Sequence, residues 1–190
     1  MYNENTYHSK WLDFVRKTLF ENGFGYIWLN QAENINQQAF KCMLKERLTD
    51  QYKQTWSHTV NDSRKCILYK NVKHSLEFEV YLSKIEWNLC KYLVRLGLCN
   101  HKLRIETGRY ENIDRHERYC DMCDQDVIGD EFHLFYECKN VTIVEARLKF
   151  LPKEMLRNRS MYAFTNILKN LEDLKTTMKI CKFLKATNIV

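Results

Sequence analysis

Cys120-Asp121-Met122-Cys123, followed by Asp130-Glu131-Phe132-His133-Leu134-Phe135-Tyr136-Glu137-Cys138, is the stretch on which the reading of this chain turns. Three cysteines and one histidine stand in the order C-x2-C-x9-H-x4-C, a spacing that can close four donors around one ion. The close pair belongs on a tight turn. The second pair reads as a short helix, with Asp130 as its N-cap and Gly129 freeing the turn before it. Five residues separate His133 from Cys138, which is about 140° on an ideal helix. The helix must therefore loosen or end at Cys138 if both side chains are to face one ion. A closed set of three thiolates and an imidazole suits structural zinc, so Cys120, Cys123, His133 and Cys138 are the expected Zn2+ ligands. Such an ion contributes about 10–16 kcal/mol near neutral pH, enough to offset the local distortion. The competing reading treats the cysteines as small buried hydrophobes and His133 as a capping or packing residue.

The five remaining cysteines, Cys42, Cys66, Cys90, Cys99 and Cys181, are odd in number and unpatterned. The chain opens Met1-Tyr2-Asn3-Glu4-Asn5, with no basic start leading into an apolar signal core. Both features argue against a disulfide framework and a secreted protein, and for thiols kept in a reducing compartment, nuclear or cytoplasmic. With 190 residues, 45% of them hydrophobic and 13% aromatic, the chain can build a core. One proline and five glycines leave few breaks, so the expected fold is mainly helical. No run approaches eighteen uninterrupted apolar residues, so no membrane partner is expected.

Charge is unevenly placed. The formal net charge of +6 is made of +7 after Cys138 and −1 before Lys139. A basic segment of this kind can follow phosphates, each contact releasing counterions and adding salt-sensitive affinity; the alternative is an ordinary solvated lysine face.

The hydrophobic pattern predicts a first helix from about Ser9 to Asn22, ended by Gly23. An aromatic patch follows at Phe24, Tyr26 and Trp28. Asn34 with Gln37 resembles a capping box, opening a long helix. Its Phe40, Leu44, Leu48, Tyr52 and Trp56, beside Ala39 and Met43, are expected in the core. Arg64–Val72 reads as a short helix or turn, and a further helix is expected from about Leu76 to Leu96. The stretch Gly97 to Tyr119 reads as an ordered loop region, because Gly97, Asn100, Gly108 and Asn112 punctuate it. After Cys138 a helix should stop before Pro152, with two more starting near Ser160 and Glu172. On the last, Lys175, Lys179 and Lys182 share one face. The expected division is a helical region at 1–96, a metal-binding module with a basic lead-in at 97–140, and a basic helical tail at 141–190.

The run Arg95-Leu96-Gly97-Leu98-Cys99-Asn100-His101-Lys102-Leu103-Arg104-Ile105-Glu106-Thr107-Gly108-Arg109-Tyr110 continues through Ile113, Arg115 and Arg118 into the Cys/His cluster. Together these motifs resemble the zinc-binding region at the C-terminus of non-LTR (LINE-type) retrotransposon reverse transcriptases, most strongly from Arg95 to Cys138. The resemblance implies an embedded CCHC zinc knuckle in a segment of a larger polyprotein, a fragment or remnant beginning at an internal methionine. It implies element RNA or target DNA as partner, with the parent polymerase domain as a further one. The family pattern commonly has proline where Asp114 stands, which loosens the expected turn.

Catalysis is not expected of this chain. No Asp–Asp pair occurs in it, so the polymerase core is missing, and there is no glycine-rich phosphate loop. A hydrolytic site on His101 and His116 is the weaker reading, because four protein ligands leave the ion no place for an activated water. His101 is better read as anchoring the Gly97–Arg109 segment.

Three thiolates and a neutral imidazole would leave bound zinc at a net charge of about −1, which Arg118 and Lys139 can balance. Arg104, Arg109, Arg115 and Arg118, with Lys175, Lys179 and Lys182, are the candidate nucleic-acid contacts, since a guanidinium fork matches phosphate oxygens. Their alternative is pairing with Glu106, Glu111, Asp114 and Glu117, and Glu106 and Arg109 in particular can brace one another. Two functions follow: a non-catalytic zinc-binding accessory module that binds nucleic acid, or a zinc-stabilised protein-docking module.

Overall fold

A computed structural model of the chain describes residues 9–30, 35–65 and 67–189. It divides into two compact units, Met1–His58 and Thr59–Val190. The described residues are mainly helical, joined by one isolated antiparallel bridge between Tyr119 and Ile128. No helix among them is long and apolar enough to cross a membrane.

In the first unit, α1 (Lys10–Glu21) ends as the sequence predicts. Gly23 takes φ +81°, its N–H donates to the Phe20 carbonyl, and the Phe24 N–H reaches back to Leu19. This is the paired-bond stop that glycine favours, with Leu19 and Phe24 buried beside it. After the short α2 (Gly25–Leu29), the ring of Phe24 meets Phe40 edge-on at 5.5 Å between centroids. Asn34 of the expected capping box lies outside the described residues; within them, Asn36 accepts a hydrogen bond from the Ala39 N–H.

The long helix α3 (Gln37–Asp62) exists, but its aromatic stripe is not core. No residue of α3 is buried; Leu48 and Tyr52 are exposed, and Phe40, Leu44 and Trp56 are only half-buried. Helical geometry supplies the reason. A strict four-residue repeat advances about 40° per step at 3.6 residues per turn, so Phe40 and Trp56 point in nearly opposite directions. The stripe winds around the helix rather than lining one face of it.

The second unit is built around α12 (Leu174–Thr187), which packs on α5 (Tyr81–Lys84), α6 (Trp87–Gly97) and α9 (Val141–Phe150). Ile180, Cys181, Phe183 and Leu184 of α12 are fully buried, as are Cys90 on α6 and Phe135. Phe135 meets Phe183 at 5.0 Å and Phe164 at 5.2 Å between centroids. The remaining helices are α4 (Ile67–Val72), α7 (Arg104–Tyr110), α8 (Glu131–Tyr136), α10 (Lys153–Arg157) and α11 (Met161–Lys169), with α11 packed on α4. Ser160 caps α11 and Asp173 caps α12, close to the starts read from sequence.

Two expectations for this unit need correction. The single helix expected from Leu76 to Leu96 starts only at Tyr81 and breaks at Ile85, which adopts an extended conformation that carries its branched side chain into the core. The expected loop at 97–119 contains α7, and Gly108 sits inside that helix. A Cβ at position 108 would lie 2.8 Å from the Arg118 Cγ, so this glycine provides clearance for a packed side chain and is not a turn signal. Asp114 takes φ −62°, the angle proline would impose, and opens a 3-10 turn over Arg115–Glu117, so the turn keeps its form without proline.

Truncating Phe135 to alanine should cost about 3–5 kcal/mol of unfolding free energy, as for a fully buried aromatic. Tyr52→Ala, at an exposed site, should stay within about 0.5 kcal/mol. Urea denaturation of the two variants checks the difference.

Candidate metal centre

Two local structures bring the four expected ligands together. The first is a tight hairpin: the Cys120 N–H donates to the Val127 carbonyl at 2.8 Å, and the Gly129 N–H to that of Arg118 at 2.9 Å. Its turn holds Cys120 and Cys123. Gly129 faces the hairpin so closely that a Cβ would stand 2.9 Å from the Cys120 Cα. Its role is close approach of two backbones, and it has no positive φ.

The second structure is α8 and its exit. Asp130 caps the helix, accepting from the His133 N–H at 2.9 Å. α8 then ends at Tyr136, and the Glu137 and Cys138 N–H groups both fold back onto the His133 carbonyl, at 2.9 and 2.8 Å. That early ending removes the 140° conflict between His133 and Cys138. Asn140 ties the two structures together: its side-chain amide donates to the Met122 carbonyl at 3.0 Å, and its oxygen caps α9.

The result is a cluster in which one donor atom from each of Cys120, Cys123, His133 and Cys138 lies within 4.8 Å of the others. Cys138 and His133 are fully buried, Cys120 is buried and Cys123 is half-buried. The His133 Nε2 stands 3.3 Å from the Cys123 Sγ, while its Nδ1 faces the Glu137 carboxylate at 3.4 Å, too poorly aligned for a hydrogen bond. The cluster is positioned to hold a metal ion.

The three thiols respond differently to their surroundings. Burial pushes the Cys120 thiol up and takes Cys138 to about 12. Burial acts the same way on Cys123, but backbone N–H groups of Gln125 and Lys139, with His133 and Cys120, outweigh it and bring that thiol down to about 7. The buried guanidinium of Arg147, which lies outside the ligand motif, donates to the carbonyls of Leu134 and Cys138 at 3.0 and 3.1 Å. It caps the end of α8 and places a positive charge beside Cys138. Its signal in the sequence is an arginine in a core-facing slot of α9, beside Ala146 and four residues after Ile143.

The arginines singled out in the lead-in are engaged within the fold. Arg104 holds Glu111 with both arms of its fork, each at 2.7 Å. Arg118 donates to the carbonyls of Ile113 and Ile105 at 2.9 and 2.7 Å. Arg109 approaches Glu106 at 3.4 Å, the brace expected from the sequence, and lies over the Tyr110 ring at 4.5 Å. Arg115 is exposed. Lys175, Lys179 and Lys182 project from the solvent side of α12, exposed and without an ion pair among the described residues. His101 anchors its segment, as expected: its Nε2 meets the Glu131 Oε1 of α8 at 3.1 Å in a buried pair. No disulfide forms among the described residues.

The fold and this site define a helical protein with a Cys3His cluster able to bind metal. Compared with known proteins, the chain matches no family model, no curated protein and no solved structure.

Metal uptake here must displace protons from the raised thiols of Cys120 and Cys138 and from part of the Cys123 population. Apparent affinity should therefore rise with pH across neutrality, and calorimetry in buffers of different ionisation enthalpy should register proton release. Gly129→Ala, forced against the Cys120 backbone, should destabilise the metal-bound protein by about 1–3 kcal/mol and weaken metal retention under chelator competition.

Proposed function

We propose that the bound ion is zinc and that the chain is a non-catalytic accessory module that binds nucleic acid, of the kind its sequence resembles at the C-terminal end of LINE-type reverse transcriptases. Three sulfurs and one nitrogen suit zinc among the common divalent ions. All four positions are taken by side chains, so the ion organises structure and leaves no open position for chemistry.

The observation that carries the nucleic-acid reading is the lysine face of α12. One side of the helix is fixed in the core by Ile180, Phe183 and Leu184, and the opposite side holds Lys175, Lys179 and Lys182 in solvent at helical spacing. Core packing makes that face rigid, so it presents a fixed row of cations to a phosphate backbone. Arg115, also exposed, is a separate candidate contact. Arg104, Arg109 and Arg118 would have to leave their intramolecular partners to join it, which moves the weight of the proposal onto the lysines. Contacts of this kind position a nucleic acid without specifying its sequence.

A second reading, protein docking, draws on a different observation. Trp11, Phe14, Leu29 and Tyr52 of the first unit are each exposed by two thirds or so, with relative areas of 67%, 66%, 70% and 66%. Large apolar side chains in solvent are common at protein contacts, and by resemblance the partner would be a polymerase domain.

The test is binding to structured RNA and to duplex DNA across a salt series. Replacing Lys175, Lys179 and Lys182 together with glutamine should weaken binding uniformly across sequences. The slope of log affinity against log salt should flatten by roughly two to three units, at about 0.7–0.9 for each phosphate no longer neutralised. No binding at low salt, or a slope untouched by the triple substitution, would transfer the case to docking.

A further inference from the structure

A second group of metal-ligand side chains lies outside the four-ligand cluster. Cys99, His101 and Glu131 are all buried, and one donor atom from each lies within 4.8 Å of the others. From these residues we infer that the chain holds a second divalent transition-metal ion, of the zinc class, ligated by the Cys99 sulfur, the His101 imidazole and the Glu131 carboxylate.

Donor chemistry comes first. Sulfur, imidazole nitrogen and carboxylate oxygen together select a borderline ion over calcium or magnesium, which prefer all-oxygen sites. The His101 Nε2 and Glu131 Oε1 stand 3.1 Å apart. Two ligands of one tetrahedral ion, each bonded at about 2.0 Å, are separated by about 3.3 Å. The pair needs almost no movement to share an ion.

Charge is the second argument. The Glu131 carboxylate is buried and pairs with His101, whose side chain is wholly inaccessible. The neighbouring buried carboxylate, Glu106, already has Arg109. A divalent ion bound by one thiolate, one carboxylate and a neutral imidazole has no net charge, so these groups can be buried together around it without a surplus charge. On binding, the Cys99 thiol proton passes to solvent. A cavity of about 90 Å3, lined in part by Cys99, Glu106 and Glu131, lies against the group and can admit a water as fourth ligand.

A further feature points the same way. Cys99 has φ +52°, a left-handed conformation that glycine or asparagine takes with less strain. Glu131 and His133 stand two residues apart on α8, which thus carries one ligand to each site.

Metal analysis of the full chain, purified reduced and with zinc supplied, decides the matter. Two equivalents per chain are expected. Cys99→Ala, His101→Gln and Glu131→Gln should each lose one equivalent and keep the three-thiolate cobalt spectrum of the other site. Cys123→Ser should lose the other equivalent and that spectrum. One equivalent in the wild-type chain, lost in Cys123→Ser and kept in Cys99→Ala, overturns the second site whether or not the remaining variants fold. One equivalent with the opposite pattern upholds this site and overturns the four-ligand one. The wild-type count depends on neither nucleic-acid binding nor docking.

Discussion

Everything in the second unit depends on a helix too short to stand alone. α8 has six residues, fewer than an isolated helix needs to repay its nucleation. It persists because each part of its surface is claimed from outside. Asp130 satisfies the His133 N–H at its start, and Arg147 collects the carbonyls of Leu134 and Cys138 at its end. Leu134, Phe135 and Tyr136 are buried in the aromatic core, His133 faces three sulfurs, and Glu131 faces His101. The side chains positioned for a metal ion and those of the core therefore share one short helix.

This coupling explains why a buried arginine is tolerated. Burial holds the Arg147 guanidinium below its usual basicity, while the neighbouring Cys138 sulfur acts in the other direction. In an apolar core of this size an unpaired guanidinium would be costly. Its two hydrogen bonds go to carbonyls that a helix end would otherwise strand, and beside a metal ion held by three thiolates it would be the complementary charge.

What could be read from the sequence was what local spacing controls. The Asp130 cap, the end of α8 before Cys138, the glycine stop after α1 and the helix ending before Pro152 all depend on neighbours within a few residues, and the grouping of Cys120, Cys123, His133 and Cys138 on a recognisable spacing. Features governed by distant partners escaped. Gly108 reads as loop punctuation until Arg118 is seen to fill the space its side chain would take, and this hides α7. The four-residue stripe of α3 looks like a core face only if its 40° drift per step is ignored. His101 and Glu131 are thirty residues apart, and nothing in their surroundings along the chain pairs them. The lysine face of α12 was visible, but not that its opposite face is the centre of the core.

That position of α12 has a kinetic consequence. The helices it packs on, α5, α6 and α9, all precede it, and the Lys102 N–H closes the arrangement by donating to the carbonyl of Ile189 at 2.8 Å. The contacts within 99–147 are short in sequence and carry little loop-closure entropy, so they can form while the chain is still emerging. The apolar slot for α12 cannot be filled until that helix has left the ribosome. A nascent chain of this protein thus carries an open hydrophobic cleft, a species that invites chaperones or self-association until α12 arrives.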